Sequence, residues 1–457
     1  FQGDFGTLWV GSGGAQTGAV KRVQEGVNAA LAAGTVRIAA GTYEEQVEIT
    51  AARTLQGVGP TSIIKAPTAL TLFFLTGANP NRPVLYAHGT NGVVIKDLKV
   101  DGAGRGNANY RFLGIGFNNA GGTVQDTQIV DVRNAPLDGT QHGTAFYTFN
   151  DDATTRTINV TGNTISGFQK NGITVNTSAG TAVVVEIANN TVTGAGNTPS
   201  IAQNGIQVWS DLGSGTIEDN TISGIAYSGS GTVASSILNY YTELTIDDNV
   251  ITGAQTGIYN YDGGANLTDN EISVAEVGDY SWGIIASDPP YALPQPLDGG
   301  FLGEDGGDAP AAAGTAGDGL LSALAPLAVL NVAVTGNRIV FVGADNTATY
   351  GIEAAAGYGA DSLAVNVDNN IVYGFEVGIL FGQCESGCLA GVFTALSAAG
   401  NCIDGNDKGM ESNVTYLTAN AENNWWGAVS GPYNATSNPG GIGNSVSANI
   451  DFTPWAT

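Results

Sequence analysis

A short phrase returns along this chain. It consists of an apolar residue, two small or polar residues closing on Asn, one further residue, then Ile or Val, often with Ser or Thr and Gly after it. It reads VTGNTISG ending at Gly167, IANNTVTG at Gly194, IEDNTISG at Gly224 and IDDNVITG at Gly253. It returns as LTDNEIS to Ser273 and VTGNRIV to Val340, loosely as VDNNIVYG to Gly374, and late as AAGNCIDG to Gly405 and AENNWWG to Gly427. The Asn stands at Asn163, Asn190, Asn220, Asn249 and Asn270, in steps of 27, 30, 29 and 21. Asn337 follows after 67, then Asn370 and Asn401 after 33 and 31, so the long step holds an insertion or an extra coil. Self-similarity at this period marks a stacked-repeat architecture.

A second phrase, Gly-Ile, marks another strand of each repeat, at Gly172-Ile173, Gly205-Ile206, Gly257-Ile258, Gly283-Ile284, Gly351-Ile352 and Gly378-Ile379. Period-two alternation points each Ile inward and its successor outward. The two phrases together predict an all-β solenoid, a parallel β-helix with one coil per repeat. Coils about 4.8 Å apart bring equivalent side chains into ladders. An inward Asn at a corner then bonds its copies above and below, and Asn tolerates the left-handed backbone that a tight corner needs. A β-propeller is excluded, because its blades run to about 40–50 residues with signatures of their own.

The ends differ from the middle. Val20, Val23, Val27, Ala30 and Leu31 recur at helical spacing and Gly34 follows, which predicts a cap helix over 19–34. Such a helix covers the open strand edge and apolar bore. Residues 1–18 form an extension with Phe5, Leu8, Trp9 and Val10, able to add a strand to its own rod or a neighbour's. Coils are expected over 35–287 and 331–420. The Pro-, Gly-, Ala- and Asp-rich stretch 288–330 is expected as a loop extruded from one coil, and 421–457, with Trp425, Trp426 and Trp455, as an aromatic cap.

The opening segment VQEGVNAALAAGTVRIAAGTYEEQVEI, followed by TLQGVG, and the tail NNWWG with its later GP and PW resemble the pectate-lyase-like superfamily of right-handed parallel β-helix proteins. The resemblance covers nearly the whole chain outside residues 1–15 and the insertion. It implies the right-handed fold. It does not imply one activity, since the fold hosts lyases, hydrolases, epimerases, adhesins and inert surface proteins.

Composition narrows the function classes. The 457 residues hold 67 Gly and only 12% charged residues, which suits short strands and tight turns. A net charge of −26, from 41 acidic and 15 basic residues, argues against nucleic acid, which needs clustered Lys and Arg. No apolar run is long enough to span a membrane. Phe1 in first place and the single Met410 read as a mature exported chain, extracellular or on the cell surface. Cys384, Cys388 and Cys402 are disulfide candidates in such a compartment, and their odd count leaves one thiol over. Six Asn-x-Ser/Thr sequons stand at Asn159, Asn176, Asn189, Asn266, Asn413 and Asn434.

Candidate chemistry is sparse. A lyase of this fold needs a basic residue beside several carboxylates, yet no Lys or Arg occurs between Lys170 and Arg338. Arg133 and Arg156, near Asp126, Asp131, Asp151 and Asp152, are the one place for such a constellation. The polygalacturonase pattern of the superfamily fails in order and content: Asp151-Asp152 follows His142-Gly143, and Arg338-Ile339 leads to Val340. The run from Asp404 resembles a calcium loop faintly, but Lys408 and Thr415 occupy ligand places. No catalytic residue, cofactor or metal site is therefore assigned, and a structural Ca²⁺ stays unspecified. Alternation places Trp209, Tyr240, Tyr259 and Tyr261 outward, as a lateral aromatic patch that suits a sugar or a subunit interface. Asp211, Glu243 and Asp262 are the carboxylates nearest to it in sequence. The expected function is a non-catalytic surface solenoid that self-assembles into a homo-oligomer or polymer. The alternative is a carbohydrate-binding or polysaccharide-degrading protein.

Overall fold

The computed structural model describes residues 5–14, 21–277, 280–288, 329–356, 362–384 and 390–457. They form two compact units, the first from residues up to 194 with 203–221, the second from 195–202 and from 222 onward. Each is a parallel β-helix, as the repeats predict.

In the first unit one ladder runs through Val47–Ile49, Asn79–Lys96, Phe112–Gln125, Thr144–Asn150, Asn171–Thr177 and Asn204–Trp209. A second joins Arg156–Thr161, Val183–Ala188 and Ser214–Glu218 to the far halves of the two long strands. A third stacks Lys99–Asp101, Gln128–Val130, Thr164–Ser166 and Thr191–Thr198. The second unit repeats the plan from Ser235–Tyr240 to Lys408–Ser412.

Both sequence phrases have a physical cause. The Gly-Ile isoleucines stack inward: Ile173 faces Ile206 in the first unit, and Ile258, Ile284, Ile352 and Ile379 stand in register in the second, all buried. Gly172, Gly257, Gly283, Gly351 and Gly378 beside them are required by space. A Cβ at Gly283 would lie 2.4 Å from the Gly351 carbonyl oxygen, and one at Gly351 would lie 2.5 Å from that of Gly378. In the Asn ladder, each amide oxygen accepts two bonds from the preceding Asn, one from its backbone N–H and one from its Nδ2. For Asn163 onto Asn190 these measure 3.0 and 2.9 Å. Each Nδ2 also donates to a carbonyl one coil back, as Asn190 does to Val160 at 2.7 Å. The first unit carries this through Asn163, Asn190 and Asn220, and the second through Asn249, Asn270, Asn337, Asn370, Asn401 and Asn424.

One detail differs from the expectation. The left-handed residue is not the ladder Asn but the one before it: Gly162, Asn189, Asp219, Asp248, Asp269, Gly336, Asn369, Gly400 and Asn423 all have positive φ. That position takes Gly, Asp or Asn because these types tolerate the conformation. The ladder Asn is kept for its two-sided amide.

The long step before Asn337 is one coil with an insertion and not an extra coil. Glu271–Ala275 pairs directly with Arg338–Val342, and Ala265–Thr268 with Val329–Thr335. The insertion leaves between Ser281–Asp288 and Val329–Thr335, and residues 289–328 lie outside the described residues.

The ends also depart in detail. The helix covers Arg22–Ala29, shorter than expected, with Val23 and Val27 buried. Val20 lies outside the described residues. Leu31 is exposed, because the backbone is already extended at Ala30. Thr7–Val10 pairs in parallel with Thr35–Ile38, so the extension adds a strand to its own chain. At the other end Trp426 is buried, and the tail strand Ile450–Asp451 pairs with Ala419–Asn420. Among the described residues no helix is long and apolar enough to cross a membrane.

Candidate functional site

The lateral face of the first unit concentrates polar and aromatic side chains. Register places Tyr86, Gly116, Tyr147, Thr174 and Gln207 in one outward column. The neighbouring column holds His88, Asn118, Phe149, Asn176 and Trp209. Gly116 stands between Tyr86 and Tyr147 in register, and a Cβ there would meet Pro83 at 2.8 Å. The ring of Phe74 stacks against both, at 5.6 and 6.0 Å between centroids. Phe74 comes from Phe74–Thr76, a short strand paired antiparallel to the start of Asn79–Lys96.

Beside this wall lies a cavity of about 20 Å³, lined in part by Arg111, Asn81, Tyr147, Asn176, Gln207 and Trp209. That is room for about one water molecule. Arg111 is 2% exposed and has φ 59, a rare backbone state for a residue with a side chain. Its Nε donates to Asn81 Oδ1 at 3.0 Å and its Nη2 to Thr76 Oγ1 at 2.9 Å. The amides are tied to one another. Asn171 Nδ2 donates to Thr174 Oγ1 at 2.9 Å and to Gln207 Oε1 at 3.0 Å, and Asn204 Nδ2 donates to Asn171 Oδ1 at 3.2 Å. Ordering of this kind presents several donors and acceptors at fixed positions.

His142, also on the cavity, has both ring nitrogens engaged. The Phe112 N–H donates to Nδ1 at 3.3 Å, and Nε2 lies 2.9 Å from Asn134 Oδ1. These partners select the neutral tautomer protonated on Nε2. Burial, opposed by Asp138 and aided by Arg111, pushes its pKa down to about 4. His142 is therefore scaffold. A second histidine, His88, is half-exposed on the same face, with Nε2 2.9 Å from Glu48 Oε1 and its ring stacked on Tyr86.

The aromatic residues expected as a patch fall in both units. Trp209 belongs to the first unit, in register with Asn176. Tyr240, Tyr259 and Tyr261 belong to the second, where Tyr240 and Tyr261 are in register. Their rings meet edge to face, Tyr240 to Tyr261 at 5.1 Å and Tyr259 to Tyr261 at 6.1 Å. The expected exposure does not hold for Tyr240, 2% exposed, or Tyr259, 0% exposed. Alternation fixes which face of the sheet a side chain leaves from, and here that face is covered. Tyr261 stays half-buried, and burial raises all three hydroxyl pKa values.

Arg133 and Arg156 form two local ion pairs. Arg133 meets Asp131 at 3.3 Å, and Arg156 holds Asp152 through both oxygens, one at 2.6 Å. Asp151 bonds Asn119. Asp211 accepts from the Gly180 N–H. Asp404 accepts from Gly405 N–H, and Asn406 bonds Asn444, which makes the loop there a corner of the solenoid. Cys402 is a free, half-buried thiol, while the side chain of Cys384 and all of Cys388 lie outside the described residues. Among the described residues no group of three or more His, Cys, Asp or Glu is placed to hold a metal ion.

Sequence reasoning missed Arg111, Asn81, Tyr147 and Asn171. They come from different coils and lie outside both recurring phrases, and the signal at Arg111, its positive φ, belongs to the backbone alone.

No protein-family model matches the sequence, and no curated protein matches it. Solved structures do. The A-module of the mannuronan C-5 epimerase AlgE4 of Azotobacter vinelandii is similar over 95% of this chain and 94% of its own, at 15% identity and a TM-score of 0.43. An exopolygalacturonase of Thermotoga maritima is similar over 77% and 82%, at 11% identity and a TM-score of 0.40. The tailspike gp61 of Pseudomonas phage phi297 is similar over 84% and 72%, at 10% identity and a TM-score of 0.40. The stacked ladders of parallel strands by themselves make each unit a parallel β-helix.

Proposed function

We propose that this protein binds a carboxylate-bearing saccharide along the lateral face of its first unit. The observation that carries the reading is the half-exposed ring of Trp209 on this face, beside a water-sized cavity where a buried guanidinium, Arg111, and ordered amides at Asn81, Asn171, Asn176 and Gln207 meet the ring of Tyr147. Amides bond hydroxyls, aromatic carbon packs on sugar C–H faces, and a guanidinium favours a carboxylate. The site runs across successive coils, the direction an extended chain would take. Binding is proposed here, without turnover, because His142 is held neutral with both nitrogens occupied.

The test is calorimetric titration with oligogalacturonate and oligomannuronate beside neutral cello-oligosaccharides. Acidic chains are expected to bind, with Trp209→Ala and Arg111→Met each weakening them at least tenfold. Equal affinity for neutral chains, or no effect of either substitution, overturns the reading.

Self-assembly remains a second reading, favoured by Thr7–Val10. Among the described residues this strand is in register with Thr35–Ile38 alone, and it carries Trp9 64% exposed. An unpaired edge is a template for another chain. Electron microscopy of the native protein tests it: ordered polymers lost on Trp9→Lys support it, and dispersed particles oppose it.

A further inference from the structure

The six sequons are equivalent in sequence, but the fold separates them into two classes. Asn189, Asn266 and Asn413 are exposed, and among the described residues no hydrogen bond holds their side-chain amides. Asn176 is buried on the lateral face, its Oδ1 accepting from Gln207. Asn434 donates through Nδ2 to the carbonyls of Val446 and Ser447 and accepts from the backbone of Thr436 and Ser437. Asn159 is half-buried, its Oδ1 enclosed without a partner.

The surroundings of the first three leave room for a large substituent. In the second unit Asn266 stands between Thr245 and Ala333 in register, both small, on strands whose neighbouring positions are buried. Asn413 follows directly after Lys408–Ser412, and Thr415, the sequon's third residue, is exposed. In the first unit Asn189 occupies the left-handed corner position, where the preceding coil offers only Gly162. The side chain of Asn189 leaves the corner while Asn190, beside it, turns into the ladder.

We propose that Asn189, Asn266 and Asn413 carry N-linked glycans and that Asn159, Asn176 and Asn434 do not. The amide Nδ2 displaces a lipid-linked diphosphate from C1 of the donor sugar. The N–C1 bond forms, the C1–O bond breaks, the diphosphate leaves with the electron pair, and the amide proton passes to the transferring enzyme's base. This requires passage through an exporting compartment and does not depend on the saccharide-binding reading.

The experiment is peptide mass mapping of the protein purified from the organism that makes it. Cleavage at acidic residues is suitable, since 41 Asp and Glu outnumber 15 Lys and Arg. Hexose-containing mass additions are expected at Asn189, Asn266 and Asn413, with unmodified peptides at the other three. The double variant Asn266→Gln with Asn413→Gln should lose two glycan masses while its circular dichroism stays unchanged. Unmodified peptides at all three exposed sequons overturn the proposal, as does a glycan on Asn176 or Asn434.

Discussion

Asn270 and Asn337 are 67 residues apart in sequence and one coil apart in space: the Oδ1 of Asn337 accepts from the backbone N–H of Asn270 at 3.0 Å and from its Nδ2 at 2.9 Å. The Asn337 Nδ2 in turn donates to Leu267 at 2.8 Å. This one amide keeps the ladder continuous across the insertion. Removing it strands several buried groups together, each costing about 1–3 kcal/mol. Asn337→Ala is expected to destabilise the second unit by about 3 kcal/mol or more in denaturant unfolding. Asn150 is the contrast. Its side-chain nitrogen and oxygen are buried and meet no partner, so Asn150→Ala has no such network to break and costs clearly less. Equal losses would contradict the ladder's role.

The glycine column gives a second expectation. At Gly283 a Cβ would meet Ile339 Cγ2 at 2.2 Å and the Gly351 carbonyl at 2.4 Å, and the second obstacle is backbone that cannot swing aside. Gly283→Ala should destabilise by about 1–3 kcal/mol, as overpacking does. Gly180 has open space around it and φ 79, so Gly180→Asn, a type that tolerates this backbone, should stay within about 0.5 kcal/mol. Thermal unfolding compares the two.

The pH dependence of the first unit has two windows. His142 is neutral in the fold, its pKa lowered to about 4 by burial, and titrates near 6.5 when unfolded. Between these values the unfolded chain binds more protons, so stability falls as pH drops from about 6.5 to about 4. The full loss is about 3 kcal/mol at 1.36 kcal/mol per unit. His142→Gln should flatten this slope. Asp138, lowered to about 2 first by Asn134, and Asp152, lowered to about 2 first by Arg156, act further down. Their contribution is intact above about 3.8 and is lost as pH falls towards about 2. Unfolding midpoints from pH 7 to about pH 2 separate the two windows, and a His142→Gln variant with an unchanged slope would contradict the assignment.

The coils were legible in the sequence because one coil is one repeat. A residue such as Asn190 meets its own copies, so the contact is written as a recurrence, and the inward Ile two places later follows by alternation. The lateral site is written nowhere in that form. Arg111, Tyr147, Asn171 and Gln207 each come from a different coil, and their meeting depends on register. Tyr259 shows the other limit. Alternation turns it out of the bore, but whether an outward side chain meets solvent depends on what lies over the sheet, which periodicity does not carry.

Hydrogen–deuterium exchange on the native protein, with and without oligogalacturonate, tests the central claim most directly. A saccharide seated at Arg111 and Trp209 should slow exchange in Thr144–Asn150, Asn171–Thr177 and Asn204–Trp209. The strands of the second unit should be unchanged. Protection confined to the second unit, or none at a concentration that saturates binding, would contradict the account.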